Sequence, residues 1–174
     1  MTNLRDVADS LILEAGKFGS TNPKEGEAYV RSAFNRYYYA TYYSVRELLF
    51  QLDEKWAKAN HAEIPHLLEE ALVKYVDREI NKLVKSKALT RSEESAKKHL
   101  LRAATAELAS LMRESYQVRV AADYKPEVPV AYRLNNIYEL QGRTDQAAKN
   151  WYQSSVNHKS KILKICKEIG LVGA

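Results

Sequence analysis

Arg36 and Tyr43 stand seven residues apart in a stretch that reads as part of one long helix, Asn35-Arg36-Tyr37-Tyr38-Tyr39-Ala40-Thr41-Tyr42-Tyr43. Seven residues is close to two turns, so both side chains leave on the same side, about 10.5 Å apart along the axis. A guanidinium in that position can clamp a phosphate through its planar fork. Phenols at Tyr39 and Tyr43 can stack on a base or donate to a phosphate oxygen. At about 100° per residue, Ser32 joins Arg36, Tyr39 and Tyr43, while Phe34, Tyr38, Tyr42, Val45 and Leu49 form a second stripe suited to a core. Five of the twelve tyrosines fall in this stretch. A helix cannot bury five phenols on one side, so the two faces must differ. The polar face fits phosphate and base recognition. It fits equally well a Tyr-rich packing surface against a neighbouring helix or a second protomer, because tyrosine and arginine are favoured in protein interfaces.

Other reactive groups offer less. Arg119 and Asp123 are one turn apart, the spacing of a helical ion pair, and they read first as a structural clasp at a helix end. His61 and His66 do not share a helix face, and no carboxylate completes a metal triad at the usual spacing. No metal site is expected. Cys166 is the single cysteine, which excludes an internal disulfide and any Cys-rich cluster. It reads as a packing residue. No glycine-rich phosphate loop, nucleophile elbow or dinucleotide fingerprint is present, and no cofactor is expected.

The elements that must position these groups are helical. Leu4, Val7, Ala8, Leu11 and Ile12 predict a helix over 3–17. Turn formers follow from Phe18 to Gly26, then a long helix over 27–52. A polar connection over 53–60 leads to a third helix over 61–86, with Pro65 tolerated in its first turn. Thr90-Arg91-Ser92-Glu93 has the form of a capping box, and the helix it opens should reach about Ala121. Pro126 and Pro129 break the chain. A short helix over Val130–Leu140, ended by Gly142, and a last helix over 144–169, ended by Gly170, complete the set. Tyr138, Gly142, Ala147 and Trp151 imitate a tetratricopeptide helix–turn–helix, although a lone repeat cannot bury its own face. The expected fold is all-α, an up-and-down bundle of four to six helices in a single domain over 1–174, closed by a helical hairpin over 130–169.

Composition agrees with that reading. The chain has 174 residues, six glycines and four prolines, too few turn formers for an all-β design. No apolar run reaches the length of about 20 residues that a membrane span needs. The N-terminal residues lack a secretory pattern, so a cytoplasmic location is expected. The net charge is +5, a mild excess compatible with an anionic partner. Arg78 to Arg102 holds eight Lys/Arg against three Glu, and Arg143 onward holds six against Asp145 and Glu168. Runs of this kind are usually solvated helix faces.

The stretch Arg31 to Tyr43 resembles the HEPN superfamily of small α-helical nucleotide-binding domains. Three further pieces follow in that family's order: Asn60-His61, Leu108 to Met112, and Arg119-Val120-Ala121-Ala122-Asp123-Tyr124-Lys125-Pro126, which looks like an Arg-x-x-Ala-Asp-Tyr ending. The similarity covers about residues 27–126. It implies a four- or five-helix bundle, homodimerisation, and in many members metal-independent RNase activity from an Arg-x(4–6)-His signature. The family's setting is toxin–antitoxin and phage-defence systems, often beside a nucleotidyltransferase. Arg36 matches the signature arginine, but Tyr43 stands where the histidine would be. A phenol ionises only near pH about 10 and is a poor general base at neutral pH. The resemblance therefore implies catalytic positions at Arg36 and Tyr43, and an RNA- or nucleotide-binding set of Asn35, Arg36, Tyr39, Tyr43 and Arg119. Phosphate binding is compatible with the tyrosine, whereas proton transfer is not secured. The other reading is a non-enzymatic helical adaptor that docks a partner protein through its tyrosine face.

Overall fold

The computed structural model describes residues 3–18, 21–133 and 137–173. The chain is of the all-α helical-bundle class, with one small sheet. In order the elements are α1 (Leu4–Phe18), α2 (Pro23–Leu52), a tight helical turn (Glu54–Lys58), α3 (Ile64–His66), a wider-wound segment (Leu67–Leu72) that continues into α4 (Val73–Lys85), α5 (Arg91–Tyr124), β1 (Ala131–Arg133), β2 (Ile137–Leu140), β3 (Arg143–Thr144) and α6 (Asp145–Glu168). Among the described residues, no helix is long and apolar enough to cross a membrane.

Local chemistry explains where the helices begin and end. Asn22, Pro23 and Glu25 start α2. The Asn22 side chain accepts from the Glu25 N–H at 3.4 Å and donates to the Glu25 carboxylate at 2.8 Å. Pro23 fills the first helical position, where its missing N–H costs nothing. Thr90 and Glu93 form the reciprocal box expected at α5, with Thr90 N–H to the Glu93 carboxylate at 2.8 Å and Glu93 N–H to Thr90 Oγ1 at 3.2 Å. At the end of α6, Gly170 takes φ 74°. That left-handed turn lets Leu171 N–H reach the Cys166 carbonyl at 2.8 Å and Gly170 N–H reach that of Lys167 at 3.0 Å, which satisfies two terminal acceptors.

Residues 134–136 of the helix expected over 130–140 lie outside the described residues, and the described residues on either side form strands, so among the described residues the hairpin over 130–169 is helical only in its second arm. Ala131–Arg133 and Ile137–Leu140 pair as antiparallel strands, and Leu140 pairs with Arg143 across Gln141-Gly142. Both turn residues have positive φ, 52° and 73°, the geometry of a two-residue hairpin turn. Gly142 therefore turns a hairpin and ends no helix. Burial alternates along β2, with Tyr138 and Leu140 inward, a period of two that a helix cannot produce.

The residues fall into two compact units, 1–43 with 114–153, and 44–113 with 154–174. The first has a core of Ala8, Val30, Ala33, Phe34, Tyr38, Val118, Leu140 and Trp151. Phe34 meets Trp151 with ring centroids 6.5 Å apart. The second is built on Leu48, Leu49, Ile64, Leu68, Leu72, Ile80, Leu108, Met112 and Ile162. Cys166 is buried there as a free thiol, and burial pushes it up to about 11.

Candidate functional site

The first unit carries the Tyr-rich part of α2. Its two faces separate as the periodicity requires. Phe34, Tyr38 and Tyr42 are buried, while Ser32 and Arg36 are exposed and Asn35 and Tyr39 half-buried. Tyr43 is 50% exposed. Tyr37, which the two-stripe pattern leaves unassigned, is also buried. Its hydroxyl donates to Asp9 at 2.6 Å, and burial, reinforced by that carboxylate, raises its pKa. Burial likewise raises that of Tyr38, so neither phenol is a source of protons in the neutral range.

The polar side of α2 meets the last turn of α5. Asn35 Nδ2 donates to both Asp123 oxygens, at 2.8 and 2.9 Å. Arg119 Nε lies 3.0 Å from Asp123 Oδ2. The contact is an ion pair without hydrogen-bond alignment, since Nε has no acceptor in line. The expected clasp at the helix end is thus present, and Asn35 extends it to α2. Arg119 also donates to the hydroxyls of Tyr39, at 3.2 Å, and Tyr124, at 3.4 Å. Its guanidinium carbon lies 5.8 Å from the Tyr39 ring centroid and 5.0 Å from that of Tyr124, within cation–π range. Burial alone would lower the Arg119 pKa, but the two phenol hydrogen bonds and the Asp123 charge outweigh it and raise it. Tyr43 continues the series, its ring centroid 6.0 Å from Tyr39.

Beside this cluster is a shallow hollow of about 480 Å³ lined by Arg31, Ser32, Asn35, Arg36, Ala122, Asp123 and Tyr124. Its charges are not equivalent. Arg31 is paired with Glu27 at 2.7 Å, and Asp123 holds Arg119. Arg36 makes no ion pair or hydrogen bond among the described residues, and it lies open on the hollow's wall. An anion entering here would meet one uncommitted guanidinium, with the exposed Tyr124 ring alongside.

The fold therefore links Asn35 to Asp123 by hydrogen bonds, Asp123 to Arg119 by an ion pair and Arg119 to Tyr39 by a hydrogen bond, sets Tyr43 against Tyr39, and leaves Arg36 on the adjoining wall. His61 and His66 belong to the second unit, in a turn and in α3. No group of three or more potential metal ligands occurs among the described residues. Two members were not singled out for binding by the sequence. Tyr124 becomes a wall of the hollow because α5 runs on to it, past the expected end near Ala121. Arg31 belongs to the site through contacts with residues more than 90 positions away, which no local pattern signals.

No family model matches the chain, no curated protein matches it, and no solved structure does.

Proposed function

We propose that this chain is a HEPN-like helical protein that binds RNA or a nucleotide through Asn35, Arg36, Tyr39, Tyr43 and Arg119. The observation that carries the reading is Arg36, an exposed guanidinium without a partner among the described residues on the wall of a hollow. It has the fork needed to take a phosphate. Tyr43 and Tyr124, 50% and 66% exposed, offer ring faces to a base. Arg119 is committed to Asp123 and two phenols, so its part is to hold Tyr39 and Tyr124 in place more than to supply charge.

Any cleavage would be metal-independent and weak, because Tyr43 stands in the position of the proton-transferring histidine. An RNA-cleavage assay in EDTA, comparing wild type, Arg36→Ala and Tyr43→His, tests this part. Activity switched on by Tyr43→His identifies a lapsed nuclease, and silence in all three leaves a binding protein. The setting in this reading is a toxin–antitoxin or phage-defence system, with a homodimer and a nucleotidyltransferase or another defence protein as partners. Retention of full RNA affinity by Arg36→Ala at fixed salt would remove the whole proposal.

A second reading is favoured by the same exposed rings. Tyr43 and Tyr124 are large apolar surfaces of the kind that anchor protein interfaces, so the face would dock a protein and the chain would be a non-enzymatic adaptor. Under it, Tyr43→Ala changes the sedimentation behaviour of the assembly and leaves RNA untouched.

A further inference from the structure

We infer that Arg31 is the positioning residue of this site: it anchors the C-terminal end of α5 and thereby holds Asp123 and Tyr124 against Asn35 and Arg119. The inference rests on the functional reading above and adds the device that keeps the hollow in shape.

Helix α5 ends at Tyr124, and Pro126 and Pro129 prevent it from continuing. Its last four carbonyls have no partner within the helix. Ala121 accepts from the Lys125 N–H at 3.3 Å, and Arg31 adds donors from α2 to Ala121, to Ala122 and to the loop beyond the helix. Its Nη1 donates to the carbonyls of Ala121 at 2.9 Å, Ala122 at 3.5 Å and Lys125 at 3.3 Å. Its Nη2 donates to the carbonyls of Pro126, at 3.4 Å, and Val128. The guanidinium is itself aimed by Glu27, whose Oε1 accepts from Nε at 2.8 Å and from Nη2 at 2.7 Å. One planar group thus spans the final turn of α5 and the loop after it.

The residues so gripped include Ala122 and flank Asp123 and Tyr124, all three of which line the hollow. Arg31 holds the backbone on either side, and Asn35, one turn further along α2, holds the Asp123 side chain. Without Arg31 the carbonyls it holds lose a donor, the last turn frays, and Asp123 and Tyr124 lose their register with Arg119. Lysine replaces it only in part, because an ammonium lacks the rigid fork that reaches carbonyls on both sides of the turn. The Arg31 side chain is only 14% exposed and its donors are committed, so it is a support for the site and not a phosphate contact.

The test uses the full chain and a fluorescein-labelled single-stranded RNA of mixed sequence, titrated at two salt concentrations. Arg31→Gln should weaken binding about tenfold, the scale of losing charge-assisted hydrogen bonds. The salt slope should stay unchanged, because no phosphate contact is lost. Amide hydrogen exchange over 121–128 should accelerate. Arg31→Lys should fall between Gln and wild type, which also covers the case in which the Gln variant does not fold. Arg36→Ala, by contrast, should lower the salt slope by about one contact. Faster exchange over 121–128 with affinity intact would overturn the positioning role while leaving the RNA reading standing. A drop in slope for Arg31→Gln equal to that of Arg36→Ala would make Arg31 a direct contact and overturn it too. If Arg36→Ala binds RNA like wild type, the reading beneath fails, and the inference with it.

Discussion

The basic stretch from Arg78 to Arg102 and the wall of the hollow around Arg36 use positive charge in opposite ways. The stretch has eight cations, yet six of them are already in ion pairs. Arg78 and Lys82 share Glu79, Arg91 and Lys98 share Glu94, Lys97 holds Glu168, and Arg102 holds Asp77. Around the hollow there are fewer cations, and Arg36 among them is without a partner among the described residues. A count of charges along the chain points to the stretch. Between these two regions, the uncommitted charge beside a concavity is Arg36. Phosphate recognition depends on uncommitted charge, because a cation already neutralised by a carboxylate must give up that partner to bind.

The largest expected effect separates the two regions directly. Arg36→Ala should lower affinity for single-stranded RNA by at least about tenfold, as expected for a lost charge-assisted contact. Lys98→Ala should change it little, because Lys98 is already paired with Glu94. Equal losses in a filter-binding or anisotropy titration would break the comparison. Next is Lys87, a cation of the stretch with no ion pair among the described residues. It sits at φ 63° and closes α4, with Ala88 N–H bonded to the Leu83 carbonyl at 2.9 Å and Lys87 N–H to that of Val84 at 3.1 Å. A left-handed residue with a Cβ costs about 1 kcal/mol, so Lys87→Gly should stabilise the protein by about that much in urea melts and leave RNA affinity unchanged.

A smaller effect tests the committed cation of the site. Asp123→Asn removes the charge that pairs with Arg119 and one of the two oxygens that accept from Asn35, so RNA affinity should fall about threefold at all salt concentrations, as for one weakened hydrogen bond. A rise confined to low ionic strength would mean that Asp123 suppresses the site's charge more than it supports its geometry.

The smallest effect is in the acid limb. Hydrogen bonds from Lys82, Lys98 and Lys97 hold Glu79, Glu94 and Glu168 below the ordinary value of 4.5. A depressed carboxyl stabilises the folded state above its unfolded pKa, and this contribution disappears as pH falls through the folded value. Asp145, in the first unit, runs the other way. Burial raises it above 3.8 in spite of the backbone N–H bonds it accepts, so its contribution declines as pH rises through the raised value. Carboxyl NMR titration should find the three glutamates below the ordinary range and Asp145 above its own. Glutamates titrating normally would mean that the pairs in the stretch do not persist in solution.

Much of this was legible in the chain. The two faces of α2 follow from the spacing of Phe34, Tyr38 and Tyr42 against Arg36, Tyr39 and Tyr43, because helical periodicity alone assigns them. The Thr90–Glu93 box and the stop at Gly170 are local too. The same local logic was available at Asn22-Pro23-Lys24-Glu25, where cap, first-position proline and reciprocal glutamate start α2 earlier than the apolar pattern suggests. It was also available at Gln141-Gly142, whose β-branched and aromatic flanks, Val130, Tyr132, Ile137 and Tyr138, favour strands over the helix expected there.

The sequence by itself determined the helical class, the unlike faces of the Tyr-rich helix and most of the helix ends, since each depends on residues within a turn or two of one another. The tertiary structure decided which charges stay uncommitted. Arg36 is open while Arg119 is taken by Asp123, and Arg31 secures carbonyls more than 90 residues away. Those outcomes depend on which side chains the fold brings within a few ångströms, and spacing along one helix carries no information about that.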